Sequence, residues 1–324
     1  MKAALVKAYG PPESLVIEDI PSPTPGPSEV KLRVRACGVN FPDVLMIAGK
    51  YQFKPEMPFS PGAEMAGEII EIGADVKHLE VGMRVLCMTG HGGMAEEVCV
   101  PASVAVPIPD GMEFTTAAAA MMTYGTSYHA LKQRANLQPG ESLLVLGAAG
   151  GVGLAAVELG ALMGAEVTAA ASSDEKLALA ERYGAKHLID YTKTSLKTTV
   201  KEMTGGKGVD VIYDPVGGDL FDDCLRSLAW KGRLLVIGFA AGEIPKAPAN
   251  LPLLKGSSIV GVFWGAFTQH EPEANQQNMQ ELVQWFMTGK LKPHIGDVLP
   301  LDRAAEAIGI LASRRAMGKV VIEI

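Results

Sequence analysis

Residues 142–153 read SLLVLGAAGGVG, a short apolar run followed by a glycine-rich turn. The apolar run predicts a buried strand, and residues 152–163 predict the helix that the turn opens. Gly150 lets the backbone approach a pyrophosphate, Gly153 lets the helix pack closely on the strand, and the helix N-terminus offers free N–H groups to phosphates. Ala148 replaces the first glycine of the usual G-x-G-x-x-G pattern, so a glycine-rich turn without a ligand is the alternative. The order of strand, turn and helix favours a dinucleotide site.

Strands and helices alternate on the C-terminal side of this turn. Predicted strands cover residues 166–171, 187–190, 209–213, 233–237 and 258–263, and predicted helices cover 174–183, 196–203 and 220–229. This alternation predicts an α/β fold with a doubly wound parallel sheet of the Rossmann type.

The sequence on the N-terminal side of the turn is typical of a β-rich structure. Short strand-like stretches lie between glycine and proline residues, at 1–6, 15–20, 30–36, 62–73, 84–88 and 95–100. They predict a small twisted, barrel-like sheet. After about residue 265 we expect one amphipathic helix near 279–286 and a final strand-like segment at 319–324.

The end of the second strand after the turn bears on the choice of dinucleotide. An NAD site usually has an acidic residue there, which binds the ribose 2′-hydroxyl. Here the strand ends at Ala171 without an acid, and Ser172, Ser173 and Lys176 can donate hydrogen bonds to a 2′-phosphate. The acidic residues 174–175 also allow Lys176 to be an ordinary solvated residue, and either acid could turn inward and repel the phosphate. We favour NADPH.

The composition is that of a globular protein with an acidic balance of charge. The chain has 324 residues, 48% of them apolar, and a net charge of −7. Its length suits about two domains. The lack of a basic run argues against nucleic acid as a main partner, and the acidity argues against anionic membranes. No signal-peptide stretch begins the chain, and the longest uncharged run, 114–131, is too polar to span a membrane. We expect a cytoplasmic protein.

Several motifs along the chain resemble those of one protein family. They read ACGVNFPD at 36–43, GKY at 49–51, PFSPG at 58–62, AAGGVG at 148–153, IDY at 189–191, VIYD at 211–214 and RRAMGKVV at 314–321. Together they resemble the zinc-free quinone oxidoreductases and zeta-crystallins of the medium-chain dehydrogenase/reductase superfamily. The resemblance implies a GroES-like catalytic domain, residues 1–123 and 265–324, around a Rossmann domain of residues 124–264. It also implies a cleft between the domains and a homodimer, for which the apolar strand at 258–263 is a candidate.

The same resemblance implies the positions of the site residues. Asn40 would lie at the nicotinamide end, and Thr126 near the nicotinamide or ribose. The other implied cofactor residues are Gly150, Gly151, Val152 and Gly153 in the turn, Ser172, Ser173, Lys176, Tyr191 and Arg314 around the 2′-phosphate, and Phe239, Phe263 and Trp264 on the nicotinamide side. For each of them the alternative is a loop or packing residue. That alternative is strongest for the aromatic pair 263–264.

The sequence predicts no metal centre. By the resemblance, zinc-dependent relatives have a ligand cysteine where this chain has Asn40 and a ligand histidine where it has Ala63, beside Glu64. A zinc site needs three or four Cys, His or carboxylate ligands. Neither Cys37 nor His91, a lone histidine in a loop, completes such a set.

Without a metal, the cofactor carries the reaction while the protein positions it. We expect hydride transfer to a quinone carbonyl, or to an alkene conjugated with a carbonyl, with negative charge developing on the substrate oxygen. Asn40 and Tyr51 are the candidate donors to that oxygen. Resemblance to enoyl reductases of the superfamily suggests Tyr51 as proton donor; its alternative is a lid on the pocket, with water as proton source. Asp43 either orients its neighbours or caps a helix that begins near Pro42.

Three functions remain open on the sequence alone. The first is an NADPH:quinone reductase, and the second is a reductase of α,β-unsaturated carbonyls such as enones, haloacrylates or enoyl thioesters. The third, from another class, is an NADPH-binding, crystallin-like protein with little turnover that acts in structure or RNA binding. The acidic pI counts against RNA, and the combination of Asn40, Tyr51 and the glycine turn favours an enzyme.

Overall fold

A computed structural model describes all of residues 1–324. The internal contacts divide the chain into two units. The first unit combines Met1–Met122 with Pro293–Ile324, and the second is Thr123–Lys292.

The chain forms fifteen strands and eleven α-helices. The strands are β1 (Lys2–Leu5), β2 (Val16–Asp19), β3 (Glu29–Val39), β4 (Glu64–Ile72), β5 (Arg84–Met88), β6 (Glu97–Pro101), β7 (Ala105–Pro107), β8 (Ser142–Leu146), β9 (Glu166–Ala171), β10 (His187–Asp190), β11 (Val209–Asp214), β12 (Leu228–Val236), β13 (Ser258–Gly261), β14 (Ile295–Pro300) and β15 (Lys319–Glu323). The helices are α1 (Phe41–Ile47), α2 (Phe114–Ala117), α3 (Met121–His129), α4 (Gly151–Leu162), α5 (Asp174–Arg182), α6 (Leu196–Met203), α7 (Leu220–Ser227), α8 (Asn250–Lys255), α9 (Trp264–His270), α10 (Pro272–Met287) and α11 (Ala304–Ala312). None of these helices has both the length and the apolar character that crossing a bilayer requires.

The second unit is built on a six-stranded sheet with the order β10-β9-β8-β11-β12-β13. All neighbouring strands are parallel. The chain moves outward in one direction from β8 and in the other from β11, so the order reverses between these two strands. A crevice forms at the carboxyl ends of the strands where such a reversal occurs. The predicted Rossmann sheet is confirmed.

The first unit is a β-rich domain whose last strand comes from the C-terminus of the chain. Its seven-stranded sheet follows the path β14-β15-β3-β4-β5-β7, with β6 paired to β3, and β1 and β2 form a separate two-stranded sheet. Strand β15 runs antiparallel to β3, with Val320 opposite Val39 and Ile322 opposite Cys37. The predicted GroES-like domain, assembled from both ends of the chain, is confirmed as a fold class.

The structure divides the chain at a different C-terminal residue than the sequence suggested. The predicted boundary assigned residues 265–292 to the catalytic domain, whereas their contacts group them with the second unit. Helix α10 packs on the segment that continues α3. Trp285 meets Tyr128 edge to face at 5.3 Å, and Asn278 and Gln133 exchange two amide hydrogen bonds of 2.9 and 3.1 Å. These contacts join residues about 150 positions apart, which local periodicity cannot predict.

The tail also contains more helix than its apolar pattern indicated. Helix α10 begins at Pro272, which occupies the first helical turn, where proline is tolerated. The segment 273–278 is mostly polar, so apolar periodicity becomes visible only near Met279. Helices α9 and α11 were not predicted.

Candidate functional site

The turn between β8 and α4 leaves a helix N-terminus open. Gly147 has a φ of +55°, a conformation that favours glycine. A Cβ on Gly153 would lie 2.2 Å from the carbonyl oxygen of Gly147, so helix and turn approach too closely for any side chain there. Gly150 is the N-cap residue, and no side chain caps the helix. The first N–H groups of α4 therefore have no side-chain partner and can bind an anion.

Two buried hydroxyl groups, those of Ser127 and Tyr213, form hydrogen bonds beside this turn. Ser127 Oγ donates to the carbonyl oxygen of Val152 at 2.9 Å and lies 2.9 Å from the hydroxyl of Tyr213. Burial raises the pKa of Tyr213, which therefore stays protonated at neutral pH. Thr126 precedes Ser127 on α3 and is half-buried. Ser127 was not singled out from the sequence, because a serine within a helix carries no signal of its own.

A second turn follows β11, the strand across the reversal of the sheet. Asp214 is buried, and its Oδ1 accepts hydrogen bonds from the N–H groups of Val216 and Gly217 at 2.8 and 2.9 Å. Burial raises the pKa of this carboxyl group, although the two backbone hydrogen bonds lower it. A Cβ on Gly217 would lie 3.0 Å from the ring of Phe239, so this turn packs against the loop that contains Phe239. The two turns meet, because a Cβ on Gly147 would lie 3.3 Å from Val216.

The candidate phosphate residues of the second unit lie at one edge of its sheet. Strand β9 ends at buried Ala171, and Ser172 is exposed beyond it. Ser173 is the N-cap of α5, and its hydroxyl oxygen accepts the N–H of Lys176 at 3.4 Å. Tyr191 donates its N–H to the carbonyl oxygen of Ala171 at 3.2 Å. The structure therefore brings these residues together at one edge of the sheet. Arg314 belongs to the first unit, in an exposed turn after α11 with a φ of +57°.

The two aromatic residues at the start of α9 differ in their surroundings. Trp264 is 7% exposed, and its Nε1 donates to Asn275 Oδ1 at 3.1 Å. A Cβ on Gly125 would lie 2.6 Å from its ring, so Trp264 covers α3. Phe263, in contrast, is 57% exposed. Trp264 is thus a packing residue, and Phe263 is the one of the pair that can contact a ligand.

The side chain of Asn40 is held in one orientation by groups of the first unit. Its Nδ2 donates to the carbonyl oxygen of Gly38 at 3.2 Å and to Glu64 Oε2 at 3.0 Å, and its Oδ1 accepts from Lys319 Nζ at 2.7 Å. A lysine only donates and a carboxylate only accepts, so the amide cannot be reversed. Both N–H donors of Asn40 are used within the protein. The geometry favours Asn40 as an acceptor toward a ligand, not as the donor to the substrate oxygen that the sequence suggested.

Glu64 and Lys319 form a buried ion pair. The two side chains are 1% and 4% exposed, and Lys319 Nζ lies 2.8 Å from Glu64 Oε2. The other oxygen of Glu64 accepts the N–H of Met122 at 2.8 Å. A buried pair of this kind needs such additional hydrogen bonds to offset the loss of hydration. Sequence reasoning missed the pair, although an acid inside the apolar segment 63–66 and a lysine before the apolar run 320–322 were the available signals.

Asp43 is a second buried carboxyl group beside Asn40. Its Oδ2 accepts the N–H of Asn40 at 2.8 Å, and its Oδ1 accepts the N–H of Gly62 at 3.0 Å. Asp43 therefore both caps α1 and holds the loop before β4. Burial raises its pKa to about 6, although the two backbone hydrogen bonds and the charge of Lys319 oppose the rise. Because the folded state raises this pKa, an ionised Asp43 opposes folding above about pH 6, and protonation relieves that cost.

Tyr51 follows α1 and packs against the core formed in part by Met46 and Ile47. It is half-buried. Burial, and next the negative charge of Asp43, raise the pKa of its phenol above the ordinary value. Tyr51 is therefore protonated at neutral pH and has a proton to donate.

Known protein families match both units of the chain. The alcohol dehydrogenase GroES-like domain family matches residues 26–110. The family described as zinc-binding dehydrogenase matches residues 151–286.

Individual relatives match the chain over almost its whole length. The quinone oxidoreductase-like protein 2 homolog of Nematostella vectensis is 45% identical over 325 residues, which cover 99% of this chain and 88% of that protein. The quinone oxidoreductase of Pseudomonas aeruginosa is 37% identical over 316 residues and 97% of each chain. Among solved structures, Escherichia coli quinone oxidoreductase complexed with NADPH is similar with a TM-score of 0.94, at 27% identity and over 100% of both chains.

The buried ion pair yields a stability prediction. We expect Lys319→Met to lower the free energy of unfolding by about 3–5 kcal/mol, because it leaves the carboxylate of Glu64 buried without its cation. The double variant Lys319→Met/Glu64→Gln should recover part of that loss, since it removes the unpaired charge, although the amide of Gln keeps only one of the two acceptor oxygens. Chemical denaturation of the purified variants measures both.

The matched control for this prediction is Lys7→Met in the same unit. Lys7 pairs with Glu18 at the surface, where the side chains are 53% and 41% exposed. Such pairs are worth about 1 kcal/mol or less. A loss in Lys319→Met no larger than in Lys7→Met would contradict the stabilising role of the buried pair.

Proposed function

This chain belongs to the quinone oxidoreductase family of the medium-chain dehydrogenase/reductase superfamily, and we propose that it reduces a quinone or a conjugated carbonyl with hydride from NADPH, without a metal. It is an oxidoreductase of the quinone reductase type. The observation that carries the cofactor proposal is the uncapped N-terminus of α4, at a sheet edge where β9 ends without an acid.

The residues of the second unit fit a dinucleotide. The close approach of Gly153 to Gly147 leaves room for a pyrophosphate against the backbone N–H groups of Gly151 and Val152, as in other Rossmann turns. The similar Escherichia coli structure is complexed with NADPH. We propose that the 2′-phosphate is bound by Ser172, Ser173, Lys176 and Tyr191.

When bound, NADPH supplies a hydride from its nicotinamide ring. We propose that Asn40 orients this end of the cofactor, and that Thr126, Phe239 and Phe263 line it. The substrate oxygen gains negative charge as the hydride arrives and then takes one proton, which balances the reduction. Tyr51 is the proposed donor of that proton, because its phenol stays protonated at neutral pH.

The proposal that no zinc takes part rests on the surroundings of Asn40. Zinc-dependent relatives have a ligand cysteine at this position. Here the ammonium group of Lys319 is bound to both Asn40 and Glu64. The side-chain atoms Asn40 Oδ1 and Glu64 Oε2 are thus already bound to an ammonium group at this place.

Reduction of α,β-unsaturated carbonyls is the second candidate function. The specific observation in its favour is the protonated phenol of Tyr51, because an enolate formed by hydride addition needs a proton. A screen of NADPH oxidation with quinones, enones and enoyl thioesters separates the two candidates by their kcat/KM values.

We also propose a cytoplasmic homodimer that takes up no nucleic acid. All four cysteines are unpaired, which suits a reducing compartment. Strand β13 is an edge strand, and the exposed apolar residues Trp230, Leu253 and Leu254 lie on the neighbouring β12 and α8. An uncovered edge with apolar surroundings favours pairing with a second copy.

Light scattering tests the dimer. We expect twice the chain mass for the wild type and the monomer mass for Ile259→Lys, which puts a charge on β13. The matched control is Leu188→Lys on β10, the opposite edge strand, because both residues are 37% exposed. Monomers of the wild type at all concentrations would contradict the proposal.

For the cofactor, we expect kcat/KM with NADPH to exceed that with NADH at least tenfold. A charge-assisted hydrogen bond is worth about 1.5–3 kcal/mol, and 1.4 kcal/mol is about tenfold. Lys176→Ala should reduce the ratio, whereas Lys186→Ala, before β10 at the other end of the sheet, should leave it unchanged. Dialysis against a chelator should not reduce the activity. A wild type that prefers NADH, or requires metal, would refute the proposal.

For the proton donor, we expect Tyr51→Phe to lower kcat more for an enone than for a readily reduced quinone. The reason is that a strongly electrophilic acceptor depends less on proton donation. Stopped-flow rates with both acceptors measure the effect. Equal losses for the two acceptors would mean that Tyr51 only shapes the pocket.

A further inference from the structure

Lys193 connects two acidic residues at the sheet edge where β9 and β10 end. Asp190 is paired with Ala171 in the parallel register of these strands. Asp174 is the first residue of α5, directly after Ser172 and Ser173. Two carboxylates therefore flank the position proposed for the 2′-phosphate.

The carboxylate of Asp174 is held by this lysine. Lys193 Nζ lies 2.7 Å from Asp174 Oδ1 and 2.8 Å from its Oδ2. The side chain of Asp174 is otherwise 81% exposed, so without the lysine it would be free to turn.

The carboxylate of Asp190 is turned into its own loop. Its Oδ1 accepts the N–H and the hydroxyl of Thr192 at 2.9 and 2.6 Å, and its Oδ2 lies 3.1 Å from Lys193 Nζ. The side chain is 8% exposed. Asp190 is thus not available to bind a ribose hydroxyl from the neighbouring strand.

The Lys193 ammonium group has three carboxylate oxygens as neighbours. An ammonium group has three donors and no acceptor, and two of the three are bonded to the oxygens of Asp174 at 2.7 and 2.8 Å. Asp190 Oδ2, at 3.1 Å, is an ion-pair neighbour without a hydrogen bond. The contribution of Lys193 to this edge is the charge that it neutralises.

The balance of charge at this edge depends on that neutralisation. Asp174, Glu175 and Asp190 carry three negative charges, and Lys176 and Lys193 carry two positive charges. Removal of Lys193 changes the sum from −1 to −2. It also releases Asp174, which could then accept a hydrogen bond from a ribose 2′-hydroxyl, as the acid of an NAD site does.

We propose that Lys193 is a specificity-determining residue, which favours NADPH over NADH by neutralising and holding Asp174 rather than by binding the phosphate. The inference rests on the proposed use of NADPH. It separates the residues that bind the 2′-phosphate from a residue that prevents a nearby acid from repelling it.

The experiment compares kcat/KM for NADPH and NADH, with equilibrium binding of each cofactor, in four full-length proteins. They are the wild type, Lys193→Ala, Asp174→Asn and the double variant Lys193→Ala/Asp174→Asn. We expect Lys193→Ala to lower the NADPH to NADH ratio about tenfold. Asp174→Asn alone should keep the preference for NADPH, and in the double variant it should restore the ratio to near the wild-type value. The control Lys197→Ala, an exposed lysine on α6, should leave the ratio unchanged.

The salt dependence gives a second readout. In about 1 M salt the Debye length falls to about 3 Å, so the effect of Lys193→Ala should shrink. A ratio that Lys193→Ala does not change overturns the inference, and so does a loss that Asp174→Asn fails to restore, because that loss means a direct or structural role. A wild type that prefers NADH refutes the proposed function instead, so the two failures are distinguishable.

Discussion

The ammonium group of Lys319 is buried, and the arrangement of the first unit around it follows from what a buried cation requires. An ion removed from water needs close partners in place of its hydration shell. Asn40 Oδ1 at 2.7 Å and Glu64 Oε2 at 2.8 Å are such partners, and they come from the end of β3 and the start of β4. Strand β15 has to lie beside β3 for Lys319 to reach them. The last strand of the chain therefore belongs to the centre of this unit.

The same ion pair limits the chemistry that is open to Asn40. Both N–H groups of its amide are used inside the protein, so neither is left to donate to a ligand. Tyr51 is a group of the unit with a proton to give. Asp43 adds a second carboxyl to the cluster, and burial raises its pKa to about 6 although the charge of Lys319 opposes the rise. In the proposed function, positioning and proton donation therefore fall to different residues.

The second unit binds charge by other means. At the glycine turn, recognition depends on the geometry of the backbone, because Gly153 lies where no side chain fits. At the edge formed by β9 and β10, it depends on the sum of exposed charges, among which the Asp174–Lys193 pair is sensitive to salt. A dinucleotide would therefore meet a rigid end and an adjustable end.

The Rossmann sheet was predictable because its signals are local. An apolar run, a glycine turn and a helix lie within residues 142–153, and the alternation of strands and helices repeats along the chain. The end of β9 at Ala171, without an acidic residue, was predictable for the same reason. The start of α10 at Pro272 was missed because the segment after it is polar, and the contacts that assign 265–292 to the second unit were not predictable because they depend on partners about 150 residues away.

The cluster around Asn40 in the first unit shows the same difference between local signals and distant contacts. The pattern around Asn40 was sufficient to identify it as a candidate, since a family motif is a string of neighbours. The orientation of its amide is set by Glu64 and Lys319, which lie 24 and 279 positions away along the chain. Hydrogen bonds between such distant residues form only once the strands have paired. The sequence by itself therefore determined which polar groups are present, and the tertiary structure decided which of them donate and which accept.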